Sequence, residues 1–216
     1  EALWREFLQR HYLKAEEAPT ARFRSSFLRV QRLLRLPEGI PVLKKWHEKS
    51  PAVDLAELLH QLEDPSGLEY LGKMMNEGSE NNRIQAGRAL CSTGDETGAD
   101  FLLNLADTGK AAFSRNSYVI LGSFQKYVEK RGMKDERSRK ILTLILGLID
   151  QTRYQSSGFR IIKQAAGQDF GYYTSGISGG TSTRPRLTVA QRRAAAIKAA
   201  RQWWKDQAGG GDSDRK

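Results

Sequence analysis

The sequence predicts an all-α fold in which helix pairs stack into a short solenoid. Two observations carry this prediction. Gly67-Leu68-Glu69-Tyr70-Leu71 returns 31 residues later as Gly98-Ala99-Asp100-Phe101-Leu102, and each copy precedes a second helix that opens near an arginine, Arg83 and then Arg115. A period of roughly 30–40 residues with two helices per unit is the mark of stacked helical repeats. The second observation is negative: no stretch alternates apolar and polar residues with β-branched enrichment, so no strand is expected. Proline is sparse, at 6 of 216 residues, as long helices require.

The elements follow in order. Residues 1–50 read as an N-terminal helical extension of two or three helices. Leu3, Trp4, Phe7 and Leu8 form one apolar face. Phe23, Phe27, Val30 and Leu34 form a second stripe at helical spacing, flanked by Arg22, Arg24, Arg29, Arg32 and Arg35. This stripe is expected to pack on the first repeat and leave the arginines in solvent. Pro37 ends that helix, and a short helix holds Val42, Leu43 and Trp46.

Residues 51–208 read as the solenoid. Ser50-Pro51 and Asp64-Pro65 both look like helix starts, a capping side chain followed by proline at the first position. Their apolar faces are Leu55, Leu58, Leu59 and Leu62, then Leu68, Leu71, Met74 and Met75. Small Ala86, Gly87 and Ala89 around Ile84 and Leu90 let neighbouring helices approach closely. The next unit pairs Phe101, Leu102 and Leu105 with Tyr118, Leu121, Phe124 and Val128. The last pairs Ile141, Leu142, Ile145, Leu148 and Ile149 with Phe159, Ile162 and Ala166. The step into it is longer, and the charged run Lys130–Asp135 reads as the extra loop. Residues 167–187 form a long Gly/Ser/Thr-rich loop. Thr188-Val189-Ala190-Gln191 fits a capping box and opens a closing helix over 188–207, with a disordered tail at 209–216 expected.

Charge is uneven. Residues 1–50 hold 11 Lys/Arg against 6 Asp/Glu, residues 51–110 hold 4 against 11, and residues 111–216 hold 20 against 8. An acidic middle between basic ends suits a protein partner with patches of both signs, or self-association end to middle, better than one uninterrupted nucleic-acid stripe; the arginine clusters point to acidic patches on that partner. No apolar run reaches membrane-spanning length. The chain opens on a charged amphipathic helix, unlike a signal peptide, and the compartment is left open.

The chemistry-bearing residues are few. Cys91 is the single cysteine, on an apolar helix face, and reads as a buried inert thiol. His11, His47 and His60 lack metal-ligand spacing, so no metal or other cofactor is expected. Asp95 reads as a helix cap within the acidic cluster Asp95, Glu96, Asp100 and Asp107. Asp169-Phe170-Gly171 matches a kinase magnesium motif, but the nucleotide loop, strand lysine and catalytic loop are missing from the chain, so it reads as a structural turn.

Asn81–Gly94, with Arg83 followed by Ala86, Ala89 and Leu90, resembles the second helix of a HEAT repeat. Gly167-Gln168-Asp169-Phe170-Gly171-Tyr172, a polar gap, then Arg192-Arg193-Ala194-Ala195-Ala196 and Trp203-Trp204 is similar to the closing unit of bacterial HEAT-repeat proteins. The resemblance covers roughly residues 52–207. It implies a right-handed α-α superhelix, with Arg83, Arg88 and Arg115 on the inner helices and Phe170, Trp203 and Trp204 as the structural cap.

The expected function is a non-catalytic protein-interaction scaffold, binding through its concave face and the 167–186 loop. The candidate partner-binding residues are Arg88, Arg115, Tyr172, Tyr173, Arg184, Arg186, Arg192 and Arg193. For Arg83 and Arg115 the favoured reading is a structural ladder to the preceding unit, while Arg88 divides evenly between the two roles. Nothing local in the sequence accounts for Arg192 and Arg193. The alternatives are a nucleic-acid-binding protein of the HEAT-like DNA glycosylase type, and a HEAT-like lyase subunit on fold analogy alone.

Overall fold

The computed structural model describes residues 21–173 and 187–209, together with Leu3 and Glu6. Among the described residues the chain is helix and turn with no strand, as the sequence predicts. It divides into two compact units, Glu1–Leu102 and Leu103–Lys216.

The first unit holds α1 (Ala21–Leu34), a 3-10 turn (Pro37–Gly39), α2 (Ile40–Lys49), α3 (Val53–Gln61), α4 (Pro65–Glu77), α5 (Glu80–Thr93) and the first half of α6 (Glu96–Thr108). Helices α3, α4 and α5 pack pairwise in sequence order, with α3 also against α5. Helices α1 and α2 lie on α3 and share its core: Phe27, Leu28, Leu36, Val42, Leu43 and Trp46 cluster with Leu55, Leu58 and Leu59. Phe27 meets Trp46 edge-on at 5.0 Å. Arg29, Arg32 and Arg35 are exposed, as expected. The buried edge of α1, however, is Phe27, Leu28 and Gln31, and Leu34 is exposed. The chain turns at Arg35 (φ 48°), and Leu36, two residues beyond Leu34, is the one that enters the core. Trp4, Phe7, Leu8, His11 and the side chains of Arg22 and Phe23 lie outside the described residues.

The second unit holds the rest of α6, α7 (Lys110–Arg131), α8 (Glu136–Leu148), α9 (Thr152–Ala166) and α10 (Val189–Gly209). Helix α7 packs on α8, α8 on α9, and α7 also along α9, while α10 closes on α8. Within each unit, then, helices pack on their neighbours in sequence in the manner of a solenoid.

The local reason for the repeat is an aspartate, a small residue three positions on and a leucine seven on. Asp64, Asp95 and Asp135 each cap the helix that follows. Their carboxylates accept from the backbone N–H groups of Ser66 (3.1 Å), Thr97 (2.8 Å) and Ser138 (2.7 Å). Three positions on stand Gly67, Gly98 and Ser138, all buried. A Cβ on Gly67 would lie 2.4 Å from the His60 nitrogen, and one on Gly98 2.4 Å from the Cys91 nitrogen, so each first helix rests directly on the backbone of the helix before it. Seven positions on, Leu71, Leu102 and Leu142 are fully buried.

Four expectations need correction. Ser50-Pro51 does not start α3. The Ser50 N–H donates to the Trp46 carbonyl and closes α2; extended Ala52 precedes α3, its N–H 3.4 Å from His47 Nδ1. The connection is too short to hold both a stop and a separate cap. Lys130 and Arg131 are not loop. Helix α7 runs 22 residues against 14 in α5, because nothing breaks it before Gly132 (φ 72°), so the longer step is mostly added helix. Leu68 is 43% exposed, since the Gly67/Leu71 edge of α4 is the one turned to the core. Tyr118 is 72% exposed: the buried arc of α7 runs through Phe113, Ile120, Leu121, Phe124, Tyr127 and Val128, and Tyr118 falls outside it.

Candidate functional site

The closing region explains the aromatic residues around 170. Asp169 Oδ1 accepts from the Gly171 N–H at 2.9 Å, while Phe170 (φ 53°) and Gly171 (φ 82°) take left-handed conformations. The segment is therefore a structural turn, as expected. It carries Phe170 to Trp203, with ring centroids 5.9 Å apart, and Trp203 to Trp204 at the same separation. Both tryptophans are half-buried; the fully buried residues of α10 are Ala196 and Ala200. Small side chains thus let α10 lie close, and the Phe170–Trp203–Trp204 group covers its rim. The capping box forms in full: Thr188 N–H donates to Gln191 Oε1 at 2.8 Å, and Gln191 N–H to Thr188 Oγ1 at 3.2 Å.

Of the candidate binding residues here, Tyr172 is turned inward. Its ring stacks on Phe159 at 4.1 Å and 8°. Tyr173 meets it edge-on and donates its hydroxyl to the Ser156 carbonyl at 2.7 Å. Arg193 lies over the Tyr172 ring at 5.8 Å, and Arg192 beside it is half-buried. Arg193 therefore has a local role that the sequence did not reveal: it roofs the stack on α9. Arg184 and Arg186, with most of the 167–187 loop and the tail, lie outside the described residues.

In the first unit Arg83 donates from Nε to the Met75 carbonyl at 3.0 Å and stands 5.6 Å from the Phe101 ring centroid. Arg83 thus has a structural role, but its bond ties α5 to the first helix of its own pair and not to the preceding unit. Arg88 is half-buried, its Nε makes no hydrogen bond, and burial pushes its pKa down against the opposing pull of Glu57 on α3. The Cys91 thiol is buried and its pKa is pushed up by desolvation, as an inert core cysteine requires. Asp95 is occupied as a cap. Among the described residues no three His, Cys, Asp or Glu side chains are placed to hold a metal ion.

The surface that stands out lies on α7 and α9, the second helices of the second unit. They run side by side with their first turns in contact, each following a first helix through a short turn. Arg153 joins them: its guanidinium donates to Ser114 Oγ at 2.8 Å and covers the Tyr154 ring at 4.5 Å. Beneath, Phe113 and Tyr154 are in ring contact at 6.4 Å. The outward row of α7 is Arg115, Tyr118, Gly122, Lys126 and Glu129, all exposed. The outward row of α9 is Arg153, Ser156, Arg160 and Lys163, also exposed, and α9 has no acidic residue at all. An exposed tyrosine therefore shares these two rows with five cations and a single acid, Glu129. Arg115 and Tyr118 were both marked in the sequence, Arg115 as a binding candidate and Tyr118 as core. Arg153, Arg160 and Lys163 were missed as a group, although their spacing of seven and three residues on a helix without acids was visible.

These features define an all-helical protein of paired helices whose second unit carries a basic, aromatic-bearing helical face. No described helix is long and apolar enough to cross a membrane. Comparison with known proteins returns no matching family model, no matching curated protein and no matching solved structure.

Proposed function

We propose that the chain is a non-catalytic, HEAT-like interaction module that docks an acidic protein partner on the outward face of α7 and α9. The observation that carries this reading is Tyr118. Tyr118 is left 72% exposed on the same row of α7 as Arg115 and Lys126, on a helix packed along the one that carries Arg153 and Arg160. Aromatic and arginine side chains are the commonest sources of binding energy at protein interfaces. The surrounding cations supply steering and selectivity. The partner-binding surface so proposed keeps Arg115 from the sequence reading and moves away from Tyr172 and Arg193, which serve the closing stack.

Nucleic-acid binding gains less support. Tyr118 alone gives a base one stacking surface, and a base-cradling site needs several aromatic side chains beside the positive surface. Trp46 is buried against Phe27, and Trp203 and Trp204 are gathered at the closing helix. The lyase-subunit reading has no residue constellation in its favour.

The test is a photo-crosslinking amino acid at position 118, compared with one at exposed Arg139 on α8, in a lysate of the native host. A discrete protein adduct specific to position 118, and lost when Arg160 and Lys163 are changed to Glu, is expected. A nucleic-acid adduct, or equal labelling from both positions, would refute the reading.

A further inference from the structure

A glycine stands in the middle of α7 where the fold has no use for it. A Cβ on Gly122 would meet nothing within 4 Å, and the position is exposed. The buried helical glycines are different. At Gly67, Gly87, Gly98 and Gly158 an added Cβ would fall 2.4–2.7 Å from a neighbour, so packing explains them. Gly147 is open like Gly122, but it sits next to the end of α8, where a helix frays and glycine costs little. Within a helix glycine is the least favourable residue short of proline. At Gly122 no contact that an added side chain would displace is found among the described residues.

Its neighbours on the outward row give it a meaning. Gly122 follows Tyr118 by four residues and precedes Lys126 by four, and both are exposed. Residues four apart form the ridges along which helices pack. The outward ridge of α7 is thus an aromatic knob, then a gap, then a cation. A gap of one side chain in such a ridge lets another backbone come close, and a crossing helix is the element whose own ridge fits it. The charges select the sign of that helix. Helix α7 carries Lys110, Arg115, Lys126, Lys130 and Arg131 against Glu129, and α9 carries Arg153, Arg160 and Lys163 against no acid.

We infer that the occupant of this face is an acidic α-helix of the partner protein, crossing α7 at Gly122 with Tyr118 packed along its side. This rests on the protein-binding reading above and adds the form of the ligand to it. Gly72 on α4 provides an internal control. It too is open, and it follows the partly exposed Leu68 by four residues, but its helix carries Glu69 and Glu77 against the single Lys73, where α7 carries five cations against one acid.

The test uses the full chain and three synthetic probes measured by fluorescence anisotropy. The first is an amphipathic Glu/Ala/Leu peptide that is helical in solution. The second is the same peptide with two central alanines replaced by prolines, which keeps its charge and prevents a helix. The third is a thymidine oligonucleotide of matched charge. The wild-type chain is expected to bind the helical peptide at least tenfold more tightly than the proline peptide. Gly122→Leu should remove that preference, while Gly72→Leu should leave it, with both variants checked for an unchanged helical spectrum. Gly122→Ala, which favours the helix and only partly fills the gap, should give an intermediate loss. Equal binding of the two peptides, or a Gly122→Leu variant that binds like wild type, would overturn the helix-crossing inference and leave the acidic-partner reading standing. Binding of the oligonucleotide with neither peptide bound would overturn both.

Discussion

Arg201 Nη2 lies 2.7 Å from Asp150 Oδ2 and 2.9 Å from the carbonyl oxygen of Leu146. The closing helix is thereby fastened to the end of α8. The two contacts differ in kind. Leu146 is in the last turn of α8, where carbonyls lack helical partners, so Arg201 satisfies an otherwise orphaned acceptor. Asp150 is 63% exposed, and an ion pair so open to water contributes little. Arg201→Met, which keeps the apolar stem, should therefore destabilise the second unit by about 1.5–3 kcal/mol, the value of a hydrogen bond from a charged group. Asp150→Asn should cost less than ~0.5 kcal/mol. Denaturant titration of the two variants checks the order, and equal losses would show that the ion pair dominates.

The Asp-small-Leu repeat makes a second, sharper prediction. At Gly67 and Gly98 an added methyl group meets backbone atoms at 2.4 Å, which cannot swing away. Gly67→Ala and Gly98→Ala should each destabilise by about 1–3 kcal/mol, as overpacking does. Ser138 fills the same place in the third copy, with its Oγ buried and making no hydrogen bond. Ser138→Ala should be neutral or stabilising, because the buried hydroxyl loses its hydration for no bond in return. Gly72→Ala, in open space, should raise stability by roughly 0.5–1 kcal/mol. Thermal melts of the four variants should split two against two.

This repeat also shows what the sequence could and could not disclose. The helices and their apolar faces were legible because burial on a helix has a 3.6-residue period, and the residues with that spacing, such as Leu55, Leu58 and Leu59, are the buried ones. The capping roles of Asp64, Asp95 and Thr188 were legible because they depend on neighbours only a few residues away. The third Asp, Asp135, went unnoticed because Ser138 replaces the glycine on which the repeat was recognised. What failed was the rotation of each helix about its axis. Tyr118 and Leu68 are apolar residues at plausible core spacing, but which neighbouring arc is buried depends on helices far away in sequence. The same holds for Arg193, whose partner Tyr172 lies across a long loop. The basic face of α7 and α9 is a product of tertiary pairing that no single helix announces.

Arg193 and Arg160 can now be separated by experiment. Both are cationic residues of the second unit, but Arg193 covers the Tyr172 ring while Arg160 lies on the outward row. Arg193→Glu should lower stability by about 0.5–1 kcal/mol through the lost cation–π contact, and it should increase proteolysis near residue 173. Arg160→Glu should leave the melting temperature within a degree or two and weaken only the binding of acidic ligands. A stability loss at Arg160 equal to that at Arg193 would mean the outward face is structural.

The first unit should weaken in mild acid through His47. Its Nδ1 is the acceptor facing the Ala52 N–H at 3.4 Å, at the junction of α2 and α3, and its ring meets Tyr70 of α4 edge-on at 4.5 Å. Burial holds the His47 pKa below its ordinary value of 6.5, against the smaller opposing pulls of Asp54 and Glu48. The unfolded chain therefore takes up the proton more readily than the folded one throughout the interval below 6.5. The contribution of His47 is complete above that pH and declines as the pH drops towards the folded value. Protonation also converts Nδ1 from acceptor to donor and sets it against the Ala52 N–H. The denaturation midpoint should accordingly fall between pH 7.5 and pH 5, and His47→Gln should flatten that part of the profile, since a glutamine carries an acceptor oxygen and does not titrate. Hydrogen exchange would place the loss: the amides of α2 and of the start of α3 should lose protection first, while α8 and α9 keep theirs. A wild-type profile that is flat over this interval, or one that His47→Gln leaves unchanged, would assign the junction between α2 and α3 to packing alone.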